Sequence, residues 1–232
     1  MKQSKGMISA GSQAIQALLG GQRMKIFLFL TIGVYAVTLL SYTVAGTEIN
    51  LILTLITTLA QGFVAAECIM LYQHKESRNF RHLSVFCILA AMAMFVVFLG
   101  LLTVMISLIQ GYSAGDEEFL KFWAEEDIGR GLPSMILTVV QTLVNAVMLL
   151  ILRFSMRQAG DLLDHKNTGR NWFRASAYLM FLYVAVTLAI AVMEMGSWMA
   201  IGVQALTAAR DVLLGVLLLQ AGREYAASAA GF

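Results

Sequence analysis

The sequence predicts an all-α fold: a polytopic membrane helical bundle of six transmembrane helices arranged as three tandem hairpins, with both termini cytoplasmic. Three observations carry this reading. They are apolar runs of membrane-spanning length, a one-sided distribution of Lys and Arg, and a short block that recurs in every second run. Composition sets the class, because 59% of the residues are hydrophobic, 13% are charged and the mean hydropathy is +0.76. Crossing about 30 Å of hydrocarbon as a helix takes roughly 20 apolar residues. Six runs qualify, at 26–45, 49–72, 83–109, 132–152, 175–195 and 198–220, the last interrupted by Arg210 and Asp211. Runs that stay apolar for so long exclude an outer-membrane barrel, whose strands alternate polar and apolar residues.

The segments outside these runs set the orientation. Of 16 Lys and Arg, four precede the first span, three lie between spans two and three, five lie between spans four and five, and one is in the tail. The alternate loops hold only Lys121 and Arg130, against Glu48, Asp116, Glu117, Glu118, Glu125, Glu126 and Asp127. The positive-inside rule then places both termini and the basic loops 73–82 and 153–174 in the cytoplasm, and the acidic loop 110–131 outside. The expected location is a cytoplasmic membrane of the bacterial type.

At the N-terminus, residues 1–25 form a cytoplasmic segment in which Met7, Ile8, Ile15, Leu18 and Leu19 recur at partly helical spacing. This suits a short amphipathic helix on the membrane surface. The first apolar run is too long for a cleaved signal and is read as a retained span. Cys68 and Cys87 fall in spans near the reducing side, which favours free thiols, and their spacing to His74 and His82 fits no usual zinc pattern. The acidic loop is expected to place Phe119, Leu120, Phe122 and Trp123 at the outer interface. Glu194, beside "MGSW" at the outer end of span five, is within reach of water. Residues 221–232 form a cytoplasmic tail.

Internal repetition supports the hairpins. The basic loops contain "HKESRNFRHLSVF" and "HKNTGRNWFRASAY", and spans one and five share "AVTL" with Tyr35 and Tyr183 just upstream. Spans two, four and six carry "QGFVAA", "QTLVNA" and "QALTAA". At 100° per residue, the positions three before, seven before and four after each glutamine share a face to within about 60°. That face reads Thr54, Thr58, Gln61 and Ala65 in span two, and Ser134, Thr138, Gln141 and Asn145 in span four. In span six it reads Ser197, Ile201, Gln204 and Ala208, with Asp211 next. A polar edge on each even-numbered span belongs against protein or a watery cavity, not lipid, so the edges should converge. They can serve as interhelical glue or line a path for a solute.

Glu67 and Arg210 each stand six residues after their repeat glutamine, with opposite charge. An unpaired charge at the bilayer centre costs about 2.5–3.5 kcal/mol on the gentlest scale. A cluster of Glu67, Arg210 and Asp211 is therefore expected, either as a lock between hairpins or as a proton-carrying site.

Enzyme chemistry is not expected. "EEDIGRGL" at 125–132 resembles the first motif of the intramembrane CAAX-type proteases, a Glu pair followed by Arg and Gly. In that family the motif sits on a helix and is joined by later histidine motifs. Here it falls in an external loop, and the only later histidine is His165 on the opposite side. No span contains a histidine to ligate a haem, and there is no P-loop, G-x-S-x-G or HExxH. No catalytic, cofactor-binding or metal-ligating residues are assigned, and no cofactor is expected.

The expected partners are the bilayer, and anionic headgroups in particular, met by Arg78, Arg81, Lys166, Arg170 and Arg174. The same residues could dock a cytoplasmic protein or a second copy of the chain. Nucleic acid is excluded, because the positive charge lies against the membrane. The leading functional expectation is a small permease or the membrane subunit of a transporter. Its polar core would lie between the second, fourth and sixth helices, built from Thr58, Gln61, Glu67, Thr138, Gln141, Asn145, Gln204, Arg210 and Asp211. The alternatives are a non-transporting scaffold, sensor or assembly protein, and an oligomeric channel.

Overall fold

The computed structural model describes residues 13–44, 48–114, 128–166, 169–193 and 198–230. Every described element is helical: α1 (13–19), α2 (Gln22–Val44), α3 (Glu48–Gln73), α4 (Ser77–Ala114), α5 (Ile128–Leu163), α6 (Trp172–Met193) and α7 (Trp198–Ala230). Five stretches are long and apolar enough to cross a membrane: Gln22–Leu40, Ser77–Gly111, Met135–Leu163, Trp172–Met193 and Ile201–Ala227. The chain is a multi-pass membrane protein. The run read as the second span is helical as α3, with the side chains of 48–54 and 57 outside the described residues. The aromatic residues of the acidic loop, Glu194, Ser197 and the side chain of Ser134 also lie outside them.

Inside these helices several threonines satisfy their hydroxyls within their own helix, as a bilayer requires. Thr31 donates to the Phe27 carbonyl, Thr38 to Val34 and Thr207 to Val203, each at 2.8 Å. The helices pack in a ring. α2 lies against α3 and α7, α7 against α6, α6 against α5, and α5 against α4. The ring closes where α4 returns to α3, and this join is the sparsest of the six. Across it Phe63 stacks on Phe86, with ring centroids 4.6 Å apart.

The end carrying the basic loops is locked by specific bonds. Gln158, nearly fully buried, accepts from the Trp172 amide at 3.0 Å and donates to the Arg170 carbonyl at 2.6 Å, pinning the start of α6 to α5. Ser155 and Ser176 share a buried hydrogen bond. Asn171 donates to the Gly222 carbonyl at 2.7 Å. A Cβ at Gly222 would sit 2.5 Å from Arg174 Cγ and 3.1 Å from its amide nitrogen, so only glycine lets α7 come this close to α6. Arg81 forms an ion pair with Asp164.

α1 folds back into this end. Gly21, at φ 91°, supplies the left-handed turn between α1 and α2. Ala14, Ile15, Leu18 and Leu19 are each at most 4% exposed and join the bundle core, while Gln13 and Gln16 face outward. The apolar side of the segment is thus spent on protein. Met7 and Ile8 lie outside the described residues.

Candidate functional site: a chamber inside the helix ring

The ring encloses a chamber of about 620 Å³, within the roughly 300–1,000 Å³ range of small-molecule sites. Its walls are mostly apolar, and its polar groups converge from four helices: Gln61 on α3, Asn145 on α5, Tyr183 on α6, and Arg210 with Asp211 on α7. Arg210 Nε donates to Asp211 Oδ1 at 2.8 Å, and Nη1 donates to Gln61 Oε1 at 2.8 Å. The Arg210 and Asp211 side chains are only 13% and 8% exposed. The adjacent pair is the economical way to hold a cation in a low-dielectric interior, because its counter-ion travels with it on the same helix turn. A guanidinium carries five N–H donors. Two make these bonds, and three have no partner among the described residues.

Three of the predicted polar residues of α3, α5 and α7 therefore meet at one place with Asp211. Asn145 lines the chamber with no hydrogen-bond partner among the described residues. Gln141, one turn away on α5, does something different: its Nε2 donates to Thr187 Oγ1 on α6 at 2.9 Å, and Thr187 donates to the Tyr183 carbonyl. Gln141 is glue between helices. The Thr138 carbonyl accepts from Thr142. Thr58 is buried, and Gln204 is partly exposed and away from the chamber wall.

Glu67 does not join Arg210 in an ion pair among the described residues. It is 3% exposed, its Oε2 has no hydrogen-bond partner among the described residues, and its electrostatic partner is His82 on α4. A separation of six residues places Glu67 about 120° around α3 from Gln61. Gln61 can then reach α7 while Glu67 points toward the join with α4.

The expected headgroup contacts divide in a similar way. Arg81 is engaged by Asp164, and the Arg170 guanidinium lies over the Trp172 ring at 4.3 Å, while Arg78, Lys166 and Arg174 are exposed. The lining residues that sequence reasoning left out include Tyr183, Cys68 and Cys87. Tyr183 sits on an odd-numbered span, where no polar stripe draws attention to it, although its place just upstream of the shared "AVTL" block was a usable signal. The two cysteines are free thiols. The Cys68 thiol lies beside Thr31 on α2. Compared with family models, curated proteins and solved structures, the chain matches none of them.

Proposed function

We propose that the protein is a small permease or the membrane subunit of a transporter, working through the chamber between α3, α5 and α7. The observation that carries this reading is the convergence of Gln61, Asn145, Arg210 and Asp211 on one cavity deep in an apolar ring. Packing alone is served by bonds that close on themselves, as Gln141 and Thr187 do. Asn145 and the unengaged face of Arg210 are left available to something else. A membrane interior selects against spare donors unless a ligand or water uses them. In this reading the six long helices cross the membrane as three tandem hairpins with the basic end cytoplasmic.

Flux in proteoliposomes tests the proposal. Asn145→Leu and Gln61→Leu should abolish uptake of the transported solute while Gln141→Leu retains it. If no solute class is moved by the wild type, or if all three variants behave alike, the transport reading fails. The second reading, a non-transporting scaffold, sensor or assembly protein, draws its support from the closed bonds of Gln141, Ser155 and Gln158. It predicts that these bonds matter more than the chamber.

A further inference from the structure

Access to the chamber narrows what it can hold. Ile56 on α3 and Leu89 on α4 both line the chamber, yet they are 58% and 60% exposed. A residue can do both only at an opening, and this one lies at the sparsest join of the ring. In a membrane that opening faces hydrocarbon, so an entrant must be soluble there. At the basic end the chamber is floored by Leu18 and Leu19 of α1, which are each 4% exposed.

The polar groups narrow it further. Arg210 lies about 18 Å along α7 from Gly222, deep in the bundle, and its spare N–H groups need acceptors. Its charge is already balanced by Asp211 at 2.8 Å. An anion brought to the same place would leave an uncompensated negative charge in a low-dielectric site, whereas a neutral carbonyl oxygen accepts the same hydrogen bonds without that penalty. The Asn145 amide can donate to the same oxygen. The remaining walls suit a flexible apolar body, with Met24, Met94, Met148, Met156 and Met180 among them. Unbranched thioether side chains adapt to irregular apolar shapes.

We infer that the chamber binds a neutral, lipid-soluble carbonyl compound, admitted from the bilayer between α3 and α4 and held by Arg210. The inference rests on the chamber being the working site, as proposed above, and names the class of molecule that site accepts.

The test uses the full chain in lipid nanodiscs and a long-chain methyl ketone carrying a diazirine close to its carbonyl. After illumination, labelled peptides are mapped by mass spectrometry. Label is expected on α7 around Arg210, falling about tenfold with excess unlabelled ketone but not with the chain-matched carboxylate at neutral pH. The double variant Arg210→Gln with Asp211→Asn keeps the site neutral and should lose labelling by a similar factor. Ala90→Phe, which fills the chamber without touching the charge pair, should lose it too, and Gln141→Leu should retain it. Label that unlabelled ketone does not displace, that the carboxylate displaces equally well, or that survives both chamber substitutions overturns the inference. Displaceable label in a protein that moves no solute would support the binding site and remove transport. Asn145-dependent flux of another solute without ketone labelling would do the reverse.

Discussion

The two ends of the polar interior are built on opposite plans. At the basic end, most buried polar groups close on one another: Gln158 uses both ends of its amide, Ser155 meets Ser176, and glycines at 160 and 222 bring helices within contact of backbone, with Asn171 Oδ1 the exception among the described residues. Around Arg210 the polar groups are fewer and left incomplete, with three guanidinium N–H groups and Asn145 unpartnered among the described residues. A half-satisfied polar network is costly in a core. Satisfying most of one end and leaving the other open separates what holds the bundle together from what the bundle can act on.

The comparison can be broken first at the charge pair. Asp211→Leu leaves Arg210 with only Gln61 and should destabilise the protein by about 3–5 kcal/mol, the range for stripping one partner from a buried pair. Replacing both residues by leucine should recover most of that loss, since neither desolvated charge remains. Thermal unfolding in detergent reads both variants. Equal losses in the single and double variants would mean that the pair is not the source of the cost.

Next comes the lock at the basic end. Gln158→Leu removes the acceptor for the Trp172 amide and the donor to the Arg170 carbonyl. The loss should be about 2 kcal/mol, because Arg170 is exposed and its carbonyl can turn to water. Ketone labelling and flux should be unchanged at temperatures where the variant stays folded. A change in either at full folding would show that the two ends are coupled.

Much of this division was legible in the sequence, and the missing part has a geometric cause. Long apolar runs locate the helices, but α4, α5 and α7 continue well past their runs into polar residues, since a helix does not stop where hydrocarbon does. The spacing of Gln61, Asn145 and Asp211 indicated that they share faces, and they meet. The same repeat aligned Glu67 with Arg210 by position, but a residue number carries no direction unless the angular offset is counted. Six residues put Glu67 on another side of α3 from Gln61. α1 was legible as amphipathic, yet whether an apolar face meets lipid or protein depends on what the rest of the chain leaves open. The closed bonds of the basic end could not be read at all, because Gln158 and Trp172 are joined only once the intervening loop has turned.

Gln141→Leu sharpens the contrast between two glutamines of the same repeat. Losing the bond to Thr187 should lower stability by about 0.6 kcal/mol, the average for interhelical hydrogen bonds in membranes, and leave flux intact. Gln61→Leu, by contrast, frees a fourth Arg210 donor into the chamber and should alter labelling more than stability. If Gln141→Leu abolishes flux while Gln61→Leu does not, the chamber has been assigned to the wrong glutamine.

The smallest effect is expected where charge is most abundant. Arg81 pairs with Asp164 at the basic end, but the two side chains are 50% and 31% exposed, so water and salt screen their attraction. Arg81→Ala should cost about 0.5 kcal/mol or less, and the difference from wild type should shrink as salt is raised. Arg78 and Lys166, exposed on the same end, remain available to anionic headgroups. Vesicles of increasing anionic lipid content should therefore stabilise Arg81→Ala almost as much as wild type. A larger loss, insensitive to salt, would make this pair part of the lock and extend the rigid end to the protein surface.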